Sequence, residues 1–535
     1  MDQREHWLLT LEERGNPDTE IDRRRGDGRA YTEGNNVRAL IHGRTYFRRL
    51  HEVLDSLKKG WWIHFLDWRG DPDERLVGPG TEVARVLASV AGRGVEVRGL
   101  VWRSHPDQAK FSEQENLHMA RDINEAGGEV LLDERVRQGG SHHQKLFLIR
   151  KPGHEGDDVA FVGGIDLCHS RNDDLYHRGD KQAWEMNDVY GETPPWHDVQ
   201  LEVRGPAIGD LATTFRERWD DPTPLDHHNP WRRAMARRAG YPRHPGSLPD
   251  MPEDPPPAGP HAIQVLRTYP AKMRHPYPFA RRGERSIARA YTKALSRARR
   301  LIYVEDQYFW SEEVAGSLAD ALTATPTLHL IVLLPLFPEQ QGVVSETPER
   351  WGQQKAAEIV REAGRDRVAF YGVENELGTP IYIHAKACII DDVWAMVGSD
   401  NLNRRSWTHD SELSCAVLDD ERDRREPTDP AGLGDGARRF ARELRLSLWR
   451  EHLGDEIDEE ILLDPVTAFS AWREIADRLE AWKRSGRRGA RPPGRAVVHL
   501  PSPVPRRHSR WAKLAYNLMV DPDGRPRNMR KGRNF

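Results

Sequence analysis

His143 and Lys145 stand two residues apart in SHHQKLFLIR (141–150), and His384 and Lys386 repeat that spacing in IYIHAKACIID (381–391). In an extended segment, side chains two apart point to one side. Each stretch therefore sets an imidazole beside an ammonium group. Two such pairs converging across a pseudo-twofold axis are suited to phosphoryl chemistry. The lysines would hold anionic oxygens. One imidazole would attack phosphorus while the other protonates the leaving oxygen. Histidine titrates in the range this exchange needs. The lysine charges supply the electrostatics, so no metal ligand and no cofactor are expected. His142 reads as a polar surface or edge residue.

The elements around these stretches recur in the same order. In the first half a helix over 44–60 leads to the apolar strand 61–68, a helix over 81–94 to strand 95–102, and a helix over 115–128 to strand 129–133. In the second half a helix over 285–300 leads to strand 301–310, a helix over 311–324 to strand 328–336, and a helix over 349–364 to strand 367–373. Asp67 precedes His143 by about 76 residues and Glu305 precedes His384 by about 79. One order at matched spacing indicates an internal duplication. Strands alternating with helices predict a mainly parallel sheet covered on both faces.

The chain has 535 residues, enough for two large domains or one large duplication. Its 80 Lys and Arg against 84 Asp and Glu leave a net charge of −4, which does not make the whole molecule an attractor for polyanions. Cys168, Cys388 and Cys415 form no CxxC, so neither a disulfide framework nor a zinc knuckle is expected. The charged N-terminus lacks a signal peptide's apolar core. The longest apolar stretch, LHLIVLLPLF (328–337), is about half the length that spans a bilayer. A cytoplasmic monomer that visits the membrane transiently is the expectation. Most tryptophans are expected in the core or cleft walls. The basic end after about residue 482 is expected as a solvated, disordered tail, with WAKLAYNLM (511–519) as a weak interfacial face.

HxKxxxxD followed by a GG or GS turn resembles the phospholipase D superfamily signature. The second copy is complete: His384, Lys386, Asp391, then MVGSDNLN (396–403). The first has HHQK (142–145), then FVGGIDLC (161–168), with Arg150 where the motif has its acid. PWHDVQLEVRGPA (195–207), IYVEDQYF (302–309) and HDSELSCAV (409–417) resemble blocks of eukaryotic-type phospholipases D, and the likeness covers about residues 35–460. The resemblance implies His143 as the nucleophile and His384 as the acid, then the base. Lys145 and Lys386 would clamp phosphate, helped by Asn401, with Asp166 at the matching first-half position. Asp198 and Glu412 would orient the histidines, Asp198 paired with His384 and Glu412 with His143. Gly163, Gly164 and Ser399 in the two turns would line the phosphate site. Glu305 and Gln307, at the C-terminal edge of a strand, are further lining candidates. Arg150 lies seven residues from His143 and so on the opposite strand face, which makes the motif's last position structural; Asp157 or Asp158 could compensate for it. No PX, PH or C2 module is apparent.

The implied fold is α/β: two pseudo-twofold-related α/β/α sandwich repeats forming one bilobal phospholipase D-type catalytic unit. The expected division is an N-terminal extension (1–34), a first repeat (35–222), a Pro-rich linker (223–260), a second repeat (261–460) and a C-terminal helix with basic tail (461–535). The implied activity is hydrolysis of a glycerophospholipid to phosphatidic acid and a headgroup alcohol, with transphosphatidylation possible. The alternatives are a cardiolipin synthase-like phosphatidyltransferase, a nuclease of the same superfamily, and a degenerate lipid-binding paralogue. Phospholipid is the expected partner, through peripheral membrane contact, and nucleic acid is not.

Overall fold

The computed structural model describes residues 3–103, 113–225, 230–238, 240–340, 343–499, 501, 504–505, 509–533 and 535. Residues 226–229 of the expected linker and 506–508 of the basic tail lie outside them.

Two strands that the sequence analysis did not single out, Thr32–Ile41 and His261–Tyr269, pair antiparallel and join the halves. From Thr32–Ile41 the sheet runs outward through Val199–Arg204, Val159–Gly163, Leu146–Arg150, Trp62–Asp67, Glu96–Trp102 and Glu129–Asp133. From His261–Tyr269 it runs the other way through Glu412–Asp419, Trp394–Gly398, Ala387–Ile390, Leu301–Glu305, His329–Leu333 and Val368–Val373. The two orders are images of each other, as duplication requires. The short strand Ala496–Val498 extends the second edge.

The sheet is mixed, which corrects the mainly parallel expectation. In each repeat only the outer three strands run parallel, each reached through a crossover helix. The strand after each His-x-Lys returns through the short connections 151–158 and 391–393, and a connection that short permits only antiparallel pairing.

Helices cover both faces. Gly43–Asp55, Val83–Gly92 and Glu113–Glu125 pack outside the first half, and Ser286–Arg297, Glu312–Ala324 and Val343–Gly364 outside the second. On the other face Ala207–Trp219, Arg439–Leu453 and Pro465–Arg484 build one core that spans both halves. Strands buried on both faces read as unbroken apolar runs such as LFLI and LIYV, because neither face meets water.

The described part of the basic tail is not a free end. Arg525 is buried against Glu313 and Asp523, Asp521 accepts from the Arg405 amide, and Phe535 packs on Trp407. Arg525 and Arg533 have carboxylate partners in the second repeat, Glu313 and Asp320, which offset the entropy lost on ordering. Trp62, Trp102, Trp310, Trp394 and Trp407 are buried. No helix among the described residues is long and apolar enough to cross a membrane.

Candidate active site

The two His-x-Lys segments lie just before strands Leu146–Arg150 and Ala387–Ile390, and each is docked on the opposite repeat. The His143 amide donates to the Ser411 carbonyl (2.9 Å), and the His384 amide donates to the His197 carbonyl (2.8 Å). These contacts place each imidazole beside the residue that follows its backbone acceptor. His143 Nδ1 is 2.9 Å from Glu412 Oε2, and His384 Nδ1 is 2.6 Å from Asp198 Oδ2. A carboxylate at Nδ1 fixes the tautomer with its proton there, leaving the Nε2 lone pair for chemistry.

Both lysines are buried. Lys145 Nζ donates to the His143 carbonyl (3.0 Å) and pairs with Asp166 (3.2 Å). Lys386 Nζ donates to the His384 carbonyl and to Gln307 Oε1 (3.1 Å). An ammonium has three donors, so each lysine keeps one for an oxyanion. The carboxamide oxygen of buried Asn401 has no hydrogen-bond partner among the described residues.

The positive charges shape the titration. Burial, then Lys386, Arg171 and Lys145, hold the His384 imidazole well below its ordinary range. Burial and Lys145, opposed by Asp198, bring Lys386 down to about 8. Against the pull of burial, Lys145 and Arg171 bring Asp166 down to about 2.

Several contributors escaped the sequence reading. Asp67 and Asp306 occupy matching places at the ends of their strands, since Leu66 pairs with Leu146 and Glu305 with Ala387. Asp67 accepts from the Leu167 amide (3.1 Å) and Asp306 from the Leu402 amide (2.7 Å), so each clamps the turn of its own repeat. Registering Leu66, not Asp67, with Glu305 would have found the pair. Arg171 lies over the Trp196 ring at 3.9 Å, and Trp196 packs on His384 at 4.9 Å. Trp68 lies edge-on to His143 at 6.2 Å.

Two family models match the chain. The family described as "Phospholipase D" matches residues 78–229, and "Cardiolipin synthase, PLD-like domain" matches 291–424. Together the two spans take in more than half of the chain. The chain belongs to the phospholipase D superfamily. Phospholipase D alpha 1 of Arabidopsis thaliana is 26% identical over 522 residues, covering 74% of this chain and 61% of that protein. Phospholipase D alpha 2 of Oryza sativa subsp. japonica is 26% identical over 577 residues, covering 82% and 68%. The chain thus spans about three fifths of the length of most of these relatives. The crystal structure of phosphatidylserine synthase from Haemophilus influenzae Rd KW20 superposes with a TM-score of 0.48 at 12% identity, covering 72% of this chain and 82% of that one.

Not every motif residue of this superfamily member reaches the site. Asp391 is at the far end of its strand from Lys386. Its carboxylate accepts from the backbone amides of Arg299 (2.7 Å), Arg300 (2.8 Å) and Leu301 (2.8 Å). It therefore caps the start of the neighbouring strand, away from both histidines. Arg150, its counterpart, binds Asp158 Oδ2 (2.5 Å) and the Glu253 carbonyl (2.6 Å), and so ties the linker to the first repeat. Glu305 is also displaced from the expected lining. It is buried against His197 (2.8 Å), His452 (2.9 Å) and the Tyr303 hydroxyl (2.6 Å), behind the site. Ser399 acts on Glu412, donating from its hydroxyl at 2.5 Å. A Cβ on Gly164 would fall 2.3 Å from Asp198 Oδ1, and one on Gly163 2.6 Å from the Val199 carbonyl, so these glycines admit the acid and its strand. His142 is fully buried, not a surface residue: it bridges to Ser411, and both ring nitrogens lack hydrogen-bond partners among the described residues.

Proposed function

We propose that the chain is a phospholipase D, cleaving the distal phosphodiester of a glycerophospholipid to phosphatidic acid and a headgroup alcohol. The observation that carries this reading is the crossed pairing of His143 with Glu412 and His384 with Asp198, each beside a buried lysine. His143 Nε2 attacks phosphorus, and the bond from phosphorus to the headgroup oxygen breaks as His384 Nε2–H protonates that oxygen. Neutral His384 then takes a proton from water, whose oxygen displaces His143 and releases phosphatidic acid. The bound phosphodiester offsets the charges of Lys145, Lys386 and Arg171, which raises His384 toward the protonated form its first role needs. An alcohol in place of water gives transphosphatidylation, and the match to a cardiolipin synthase-type family supports that second reading.

Membrane contact is supported by an apolar patch on the tail: Leu514, Leu518 and Met519 are 63%, 67% and 70% exposed, with Trp511 beside them. A basic cavity of about 1260 Å³ is lined by Trp102, Arg103, Arg137, Lys272, Arg274 and Arg527, and Trp102 stacks on Trp68.

The test is choline release from phosphatidylcholine vesicles, with and without ethanol, for wild type, His143→Ala and His384→Ala. Release that turns into phosphatidylethanol with ethanol, and is lost in both variants, supports the reading. A folded protein that releases no choline, ethanolamine or glycerol headgroup overturns it, and single-stranded DNA is then the next substrate.

A further inference from the structure

Behind the Asp198–His384 pair lies a second buried cluster that the chemistry above does not use. His42 follows the strand Thr32–Ile41, His177 lies in the segment after the Gly163–Gly164 turn, His197 sits in the strand Trp196–His197, and Glu451 projects from the helix Arg439–Leu453. All four are buried. Three imidazole nitrogens converge on the one carboxylate: His177 Nε2 at 2.8 Å and His197 Nδ1 at 3.0 Å from Oε1, and His42 Nε2 at 3.0 Å from Oε2. The four ligand atoms lie within 4.8 Å of one another.

The far sides of two rings supply a second, independent observation. His197 Nε2 meets Glu305 Oε2 at 2.8 Å, and His177 Nδ1 meets the Trp196 carbonyl at 3.1 Å. Both partners are acceptors, so each of these far nitrogens carries a proton. With a divalent cation at the centre of the cluster, both rings keep these outer protons and turn a lone pair inward. A carboxylate or backbone carbonyl behind a metal-bound histidine is the outer-shell arrangement that fixes its tautomer and ring plane.

We propose that His42, His177, His197 and Glu451 hold a divalent metal ion of the zinc class. Three imidazoles and one carboxylate suit that borderline cation. Tetrahedral bonds of about 2.0–2.1 Å set ligand atoms roughly 3.4 Å apart, between the 2.8–3.0 Å contacts to Glu451 and the 4.8 Å limit of the present cluster. Four protein ligands close the shell, so the ion is structural and takes no part in turnover. It fastens three segments of the first repeat to a helix of the second. It also backs the site: the His42 amide donates to the Asp198 carbonyl at 2.9 Å, and the His197 carbonyl receives the His384 amide.

The experiment is metal analysis of the full chain, purified without a polyhistidine tag, followed by zinc-edge X-ray absorption. The expected result is about one zinc per chain, with nitrogen and oxygen neighbours only, at about 2.0–2.1 Å. Glu451→Gln and His177→Ala are expected to lower zinc content at least fivefold. Folded wild-type protein that contains no transition metal, and takes up none on dialysis against zinc after chelation, overturns the proposal. So does sulfur in the zinc shell, which would place the ion at a cysteine. Neither outcome depends on lipid turnover, so the proposal fails or stands apart from the activity proposed above.

Discussion

His143 of the first repeat is held by Glu412 of the second, at 2.9 Å across 269 residues of sequence. The exchange is mutual, since His384 is held by Asp198 of the first repeat. Neither half can orient its own histidine. The duplication is therefore obligatory for the site, and helix Ala207–Trp219 reinforces the crossing: Arg218 reaches both Asp133 (2.8 Å) and the Ser411 hydroxyl (3.1 Å).

Removing the charge of either acid is expected to act on kcat. Glu412→Gln and Asp198→Asn should each lower kcat by about 10²–10⁴-fold, as loss of tautomer control does elsewhere. KM should move less than threefold, because phosphate binding rests on the lysines. Steady-state headgroup release on a soluble short-chain phospholipid measures both. A kcat within threefold of wild type in either variant refutes the positioning role.

The pH profile should show Lys386. This cation has its pKa lowered to about 8, so it is charged below that pH and neutral above it. The anionic substrate loses a partner as pH rises, and kcat/KM, which reports the free enzyme, should fall with an apparent pKa near 8. Lys386→Arg stays charged throughout and should lose that alkaline limb even at a lower rate. A wild-type kcat/KM that is flat from about pH 7 to 9.5 contradicts the assignment.

Restoring the motif acid should harm the protein. Arg150→Asp would set a second buried carboxylate against Asp158 and leave the Glu253 carbonyl without its donor. The cost is expected at about 3–5 kcal/mol, with no gain in kcat. Asp391→Ala orphans three backbone amides at about 1–3 kcal/mol each, and its activity loss should track the loss of folded protein. Thermal unfolding beside active-site titration separates the two effects. Higher turnover per folded molecule in Arg150→Asp would show that the motif acid is catalytic after all.

Leu518→Asp with Met519→Glu should weaken vesicle binding by about 10²-fold, since burying each side chain is worth about 1.5–3 kcal/mol. Turnover of a monomeric short-chain substrate should be unchanged within twofold. Sedimentation with anionic vesicles reads the first and headgroup release the second. Unaltered vesicle binding would place the membrane-facing surface elsewhere.

Much of this was legible in the sequence because it is local. The repeated His-x-Lys and the helix–strand order each sit in short patterned stretches, and apolar runs of strand length mark strands whatever their partners; Asp198 and Glu412 were singled out by the resemblance. Strand direction was not legible, because it depends on how short the connections after each His-x-Lys are relative to a crossover helix. The fate of Glu305 was not legible either. It belongs to a conspicuous motif, yet it faces histidines behind the site. His142 reads as a surface residue beside two polar neighbours, and only its docking on Ser411 buries it.

The sequence by itself determined the kinds of groups present, their duplication and the α/β character of each half, because residue type and periodicity are properties of short segments. The tertiary structure alone decided that the described part of the basic tail packs against the second repeat, and that His42, His177, His197 and Glu451 share one buried point. Those four residues are spread over more than 400 positions, and only the closing of one sheet across the Thr32–Ile41 and His261–Tyr269 seam brings them within hydrogen-bond reach. Contacts of that sequence separation leave no periodic mark, since any chain path between them would write the same residues.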